Sequence, residues 1–181
     1  MPLLPSLKAG ATLLDLFKAY PDSSRPLIEL NEALLRGPSP FSEAERELIA
    51  TYVSGLNRCG YCHGVHAATA ERLGIAREAL DGLPGGVDGP AISERMRPVL
   101  RYAGKLTRSP ERATKADAEA IFAAGWDETA LYHTVAVTAL FNFMNRLVEG
   151  LGIELSQSYV EQASKRLAEG GYLPLIAMLG R

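Results

Sequence analysis

The chain has 181 residues, of which 47% are hydrophobic and 22% charged, and its formal net charge is −2. This balance is typical of a globular protein long enough to bury a core, and it does not favour nucleic-acid binding. The first residues lack a charged segment followed by a long apolar run, so we expect no signal peptide and a cytoplasmic protein. The most apolar stretch, residues 130–144, is too short and too polar to span a membrane.

Apolar residues recur at helical spacing along most of the chain, and no segment alternates between apolar and polar residues as a strand would. Residues 1–11 are predicted to form an irregular arm. Caps, prolines and glycines set the ends of the predicted helices. These helices cover residues 12–20, 26–36, 42–56, 59–73, 76–81, 93–107, 114–125, 127–149 and 156–169.

The sequence therefore predicts an all-α fold in which residues 1–181 form a single domain. A loop rich in glycine and proline, residues 82–90, divides the helices into two groups. We expect an N-terminal arm with short helices over 1–38, a helical hairpin with both cysteines over 39–81, and C-terminal helices over 91–181.

Both cysteines lie in one short run, Cys59-Gly60-Tyr61-Cys62. If Cys59 is the N-cap of its helix, Cys62 lies in the first turn, where unpaired N–H groups and the helix dipole favour negative charge. A thiol there is expected to have a lowered pKa and to act as a nucleophile. His66 comes one turn later on the same face, so it can exchange a proton with the Cys62 sulfur.

Glu47 belongs to the preceding helix, twelve positions before Cys59. If the two helices pair as an antiparallel hairpin, Glu47 and His66 lie at comparable height. The carboxylate would then orient the imidazole and increase its basicity. This arrangement predicts peroxide reduction, in which Cys62 becomes a sulfenic acid and condenses with Cys59 to a disulfide. An external dithiol must then reduce the pair.

The spacing of Glu47, Cys59, Cys62 and His66 matches the motif of the AhpD-like alkylhydroperoxidases, which belong to the carboxymuconolactone decarboxylase superfamily. The chain resembles this family also in residues 46–49, 56–57 and 145–152, and in length and layout it is similar to the peroxidase-related branch. The resemblance implies an AhpD-like helical fold with the CxxC at the N-terminus of a central helix. It implies Cys62 as the peroxidatic thiol, Cys59 as the resolving thiol, and Glu47 and His66 as the proton relay.

The same resemblance implies a homo-oligomer, commonly a trimer or hexamer, and no haem, flavin or metal cofactor. In the best-known branch the external reductant is a dihydrolipoyl protein. That branch often carries a histidine directly before its second cysteine, whereas this chain has Tyr61 there and His63 on the other side. Tyr61 and His63 are therefore possible supporting residues.

Other interpretations of the motif stay open. Cys59, Cys62 and His66 could bind zinc, with Glu47 or His63 as a fourth ligand. The dithiol could instead belong to a redox sensor without turnover. The superfamily's lactone decarboxylases are a further alternative, although members of that branch generally lack the cysteine pair.

Asn142, Asn145 and Arg146 share one face of the long apolar helix. They could cap the backbone, bridge subunits or contact a substrate. His133, in the same helix, is predicted to be a satisfied histidine of the core or of an interface.

Overall fold

The computed structural model describes residues 2–179. These residues form ten α-helices and two short 3₁₀ turns without any strand, which confirms the predicted all-α fold. The helices are α1 Leu13–Ala19, α2 Pro21–Leu35, α3 Glu43–Leu56, α4 Gly60–Arg72, α5 Arg77–Gly82, α6 Met96–Arg108, α7 Lys115–Ala123, α8 Glu128–Gly150, α9 Gln157–Gly170 and α10 Pro174–Ala177. Within residues 2–179, none of these helices has the length and apolarity that crossing a bilayer requires.

Helices α3 and α4 form the central hairpin. α3 begins at a capping box, in which the Ser42 hydroxyl accepts from the Glu45 N–H at 3.2 Å and the Glu45 carboxylate accepts from the Ser42 N–H at 2.8 Å. Residues 46–54 of α3 are all buried, so this helix passes through the middle of the fold. Arg58, at φ 57°, reverses the chain in the left-handed region, and α4 begins directly after it.

The remaining helices enclose this hairpin. α8 packs against α3 and α6, and α9 packs along α4. The core between them is apolar and contains fully buried Ile49, Val53, Leu100 and Val137. A buried α3–α4 hairpin follows from this packing, and both cysteines are therefore removed from solvent.

The start of α2 differs from the prediction. The sequence suggested a break at Pro21 and a helix from residue 26, but α2 begins at Pro21 and continues through Pro26. Pro21 occupies the first helical position, where a missing N–H costs nothing. Pro26 gives up one backbone hydrogen bond in the second turn, and its fixed φ suits a helix. The break lies at Tyr20, with φ −131° and ψ 62°.

Two smaller differences occur towards the C-terminus. α6 begins at Met96 rather than near Ser93, because the Ser93 carbonyl accepts the N–H groups of Met96 and Arg97 in a preceding turn. The short helix α10 follows the last predicted helix and was not predicted. Its surroundings matter for the site, because the Tyr172 side chain just before α10 points into the core.

Candidate active site

The two thiols lie at the start of α4. Cys59 is the N-cap residue, with extended backbone at φ −82° and ψ 94°, and Cys62 is in the first turn. Cys59 is fully buried and Cys62 is 3% exposed. Both are free thiols rather than partners in a disulfide.

The surroundings shift the pKa values of the two thiols in opposite directions. Hydrogen bonding with Cys59 lowers the pKa of Cys62 against the opposing effect of burial, and the charge of His66 and a hydrogen bond with Asn145 lower it further. The same hydrogen bond raises the pKa of Cys59, as do burial and the charge that forms on Cys62. Negative charge therefore settles on Cys62, while Cys59 keeps its proton and acts as the donor.

His66 and Glu47 meet across the hairpin, as the spacing predicts. The His66 Nδ1 lies 2.6 Å from the Glu47 Oε2. A carboxylate can only accept a hydrogen bond, so Nδ1 donates and Nε2 is left for proton exchange. The imidazole edge also packs on the Phe141 ring, with 4.6 Å between ring centroids, which fixes its orientation.

Two residues that the sequence analysis did not identify hold the other oxygen of Glu47. The Arg36 Nη2 donates to Oε1 at 2.7 Å, and the Tyr172 hydroxyl donates to the same oxygen at 3.3 Å. Burial by itself would raise the pKa of Glu47, which is fully buried, but the charges and hydrogen bonds of His66 and Arg36 hold it below its ordinary value. Glu47 is therefore an ionised carboxylate in the core.

A cavity of about 60 Å³ adjoins this cluster. Cys62 and His66 both line it, so the nucleophile and the imidazole share one cavity. Most of its walls are apolar side chains from α1, α2, α8, α9 and α10: Leu13, Leu14, Phe17, Ile28, Phe141, Met144, Ala163, Leu167 and Leu175. The volume is several times the minimum for one water, so the cavity has room for a small reactant beside the sulfur.

Three asparagines fix the turn that precedes the cysteine helix. The Asn57 Nδ2 donates to the Asn142 Oδ1 at 3.1 Å and to the Asn145 Oδ1 at 2.9 Å, tying the end of α3 to α8. Asn145 is 1% exposed and donates to the Ser54 hydroxyl at 3.0 Å. Arg146 instead lies at the surface and binds the Asn142 carbonyl at 2.7 Å. The sequence left the roles of Asn142, Asn145 and Arg146 undecided. Of these three residues, Asn145 is the one that forms a hydrogen bond with Cys62.

Tyr61 and His63 point to different places. The Tyr61 hydroxyl accepts the Leu13 N–H at 3.2 Å, so it holds the start of α1 over the cavity that it also lines. His63 lies outside that cavity, and its Nδ1 is 3.2 Å from the Thr51 carbonyl on α3. His63 therefore does not take the position of the missing histidine beside the sulfur.

His133 was predicted to have its hydrogen bonds satisfied, and the structure differs from that prediction. It is 7% exposed, yet its Nδ1 has no hydrogen-bond partner among residues 2–179. Burial lowers its pKa, so it is held as the neutral ring, which tolerates an unpaired nitrogen better than a charged ring would.

The described residues do not provide a set of zinc ligands. Within residues 2–179, no group of three or more histidine, cysteine, aspartate or glutamate side chains is arranged to hold a metal ion. Glu47, the possible fourth ligand, has both oxygens engaged by His66, Arg36 and Tyr172.

The thiol asymmetry predicts a pH dependence. The pKa of Cys62 is lowered from 9.0. The ultraviolet absorbance of the thiolate should therefore appear at a lower pH than it does for an ordinary thiol, with a midpoint below pH 9. In Cys59→Ala, the hydrogen bond to the Cys62 sulfur is lost, so the pH midpoint of thiolate formation should move upward. Cys59→Ser is the matched control, since its hydroxyl can still donate. A midpoint that is the same in Cys59→Ala and in the unaltered protein would contradict this account of the pair.

Residues 21–104 match the model of the carboxymuconolactone decarboxylase family. The match runs from α2 into α6 and includes Glu47, both cysteines and His66. This segment is therefore similar to the carboxymuconolactone decarboxylase family. No curated protein matches the chain at a significant level.

Several solved structures share the fold. An uncharacterized peroxidase-related protein from Silicibacter sp. TM1040 is 26% identical, with a TM-score of 0.75 over 83% of this chain and 79% of that one. The alkylhydroperoxidase AhpD core of a peroxidase-related protein from Ralstonia eutropha JMP134 is 23% identical, with a TM-score of 0.76 over 82% and 78%. A variant of the debrominase Bmp8, in complex with 2,3,4-tribromopyrrole, is 17% identical, with a TM-score of 0.71 over 86% and 81%.

Proposed function

We propose that this protein is a thiol peroxidase that reduces organic hydroperoxides or hydrogen peroxide through Cys62 and Cys59. One observation carries the proposal: Cys62, whose pKa is lowered, shares a cavity with an imidazole that a buried carboxylate orients. The similarity to a peroxidase-related protein from Silicibacter supports it. The alternative function, lactone decarboxylation, would not use the two thiols.

The first half of the cycle consumes the peroxide. His66 accepts the proton of the Cys62 thiol, and the thiolate attacks the terminal oxygen of the hydroperoxide. The sulfur–oxygen bond forms as the O–O bond breaks, and the departing alkoxide takes the proton from His66. The products are an alcohol, or water, and a sulfenic acid on Cys62.

The second half restores the thiols. The Cys59 sulfur attacks the sulfenic sulfur, the S–O bond breaks, and hydroxide leaves with the Cys59 proton as water. An external dithiol then supplies two electrons and two protons through two exchange steps, the second of which releases the reduced protein. A dihydrolipoyl protein suits this role, because its two thiols are linked and can close a ring as they are oxidised.

Glu47 acts through His66 in this mechanism. It keeps the imidazole in the tautomer with Nδ1 protonated and stabilises the imidazolium that forms when Nε2 takes the proton. Arg36 and Tyr172 are positioning residues, because they hold the carboxylate rather than the reactants.

We also propose that residues 1–181 act as one domain, that copies assemble into a homo-oligomer, such as a trimer or hexamer, and that the protein works in the cytoplasm. A single buried cluster that includes residues from α1 to α10 supports the first point. The exposed apolar side chains Tyr20, Leu30, Tyr132 and Phe143 border a groove between α2 and α8, which supports the second. Free thiols are typical of a reducing compartment.

A thiol and peroxide titration tests the function. One equivalent of peroxide should remove both free thiols and form an intramolecular disulfide. Peroxide in excess should then be consumed when dihydrolipoamide, a thioredoxin-type dithiol or glutathione is supplied, with the dithiols the better donors. Oxidation that never leads to turnover with any donor would favour the sensor, and unchanged thiols would refute peroxide chemistry at this pair.

A further inference from the structure

Arg166 lies on α9 and lines the cavity that contains Cys62 and His66. Its side chain is partly buried, and its Nε is buried without a hydrogen-bond partner among residues 2–179. A buried guanidinium nitrogen without a partner is costly, so its presence calls for an explanation.

The neighbouring arginines are matched, which sets Arg166 apart. Arg36 reaches the Glu47 carboxylate at 2.7 Å and the Leu167 carbonyl at 3.0 Å. Arg72, beside α9, pairs with Glu161 and with the Ser164 hydroxyl. Of the described residues that line the cavity, none carries a carboxylate that could pair with Arg166.

The rest of the cavity limits what the guanidinium can meet. Around it the walls are largely aliphatic and aromatic, and Asn31 is a polar exception whose Nδ2 already donates to the Leu27 carbonyl at 2.8 Å. At about 60 Å³, the space holds only a few heavy atoms, so it admits a short carbon chain and excludes a fused ring system. A partly buried cation at the wall of an apolar cavity favours a ligand with one anionic group on an apolar skeleton.

We propose that Arg166 binds the carboxylate of the substrate, so that the protein prefers aliphatic hydroperoxides that carry a carboxylic acid. This inference rests on the proposed peroxidase function. The planar guanidinium pairs with both carboxylate oxygens, and the hydroperoxide group lies against Cys62 and His66. The carboxylate is unchanged by the reaction, since only the O–O bond breaks.

A matched pair of substrates tests the preference: a short-chain hydroperoxy carboxylic acid and its methyl ester. Arg166→Met keeps the length of the side chain but removes the charge. Its ratio of kcat/KM for acid over ester should fall about 10- to 100-fold, mainly through KM for the acid. Arg166→Lys keeps the charge without the planar fork and should retain part of the ratio. Lys165→Met, the same charge change at the exposed neighbour, should leave the ratio as it is.

A binding measurement separates this inference from the proposed function. The parent short-chain carboxylic acid, which has no peroxide, should bind to the reduced protein in calorimetry more tightly than its methyl ester does. Arg166→Met should remove that difference, whether or not any peroxide is turned over. Equal binding of acid and ester, or a difference that persists in Arg166→Met, would overturn the role of Arg166 and leave the peroxidase proposal standing. Failure of all peroxides to turn over would instead refute the peroxidase while the binding result decides the anion site.

Discussion

Replacing Cys62 with serine is expected to abolish peroxide turnover, with a loss on the order of 10⁴-fold or more in kcat/KM. A serine hydroxyl has no lowered pKa to exploit and cannot form the sulfenic acid on which the cycle depends. Thiol counting during addition of one equivalent of peroxide should show no fast oxidation in Cys62→Ser. Steady-state consumption of peroxide with a dithiol donor measures the loss directly.

Cys59→Ser is the matched control for this experiment, because it removes the other thiol of the same pair. Its Cys62 should still react once with peroxide and should be trapped as a sulfenic acid by a dione reagent, while turnover with a dithiol is lost or strongly slowed. Fast oxidation in Cys62→Ser together with none in Cys59→Ser would reverse the assigned roles. Unchanged turnover in Cys62→Ser would refute the mechanism.

Replacing Glu47 with alanine should cost about 3–5 kcal/mol of the free energy of unfolding. The change leaves the Arg36 guanidinium, whose side chain is 7% exposed, without its 2.7 Å partner in the core. The loss is a large part of the stability of a typical domain, so it should be visible as a lower urea midpoint under reducing conditions. Peroxide turnover should fall as well, because His66 loses the group that orients it.

Glu43→Ala is the control for Glu47→Ala, since Glu43 is the second carboxylate near Arg36. Its Oε2 lies 3.6 Å from the Arg36 Nε, but its side chain is 43% exposed, so the expected cost is about 0–1 kcal/mol. The Glu47 contribution should also depend on pH. Because its pKa is lowered from 4.5, the stabilisation is fully present above pH 4.5 and is lost as pH falls through the folded-state pKa. Equal costs for Glu43→Ala and Glu47→Ala would contradict the buried ion pair.

Local signals made much of the fold predictable. The capping box of Ser42 and Glu45 marks the start of α3, and the spacing from Glu47 to His66 predicts a contact that only an antiparallel hairpin allows. These features depend on neighbours in the same helix or hairpin, and a single sequence carries that information. The same local logic failed at Pro26, because a proline inside a helix and one at its start look alike in sequence.

The rest of the site depends on contacts between distant segments. Arg36 and Tyr172 reach Glu47 from the end of α2 and from the C-terminal segment, and no spacing rule connects them. Arg166 looks like any charged residue of an amphipathic helix until the cavity beside it is known. The unpaired Nδ1 of His133 is likewise a property of packing alone.

The hydrogen bond from Tyr172 to Glu47 joins residues 125 positions apart in the chain. Forming this contact requires closing a long loop, which costs conformational entropy. During synthesis, the cysteine hairpin therefore emerges well before the segment that completes the carboxylate's surroundings. The carboxylate that orients His66 therefore gains its full set of hydrogen bonds only once the C-terminal segment has packed against the hairpin.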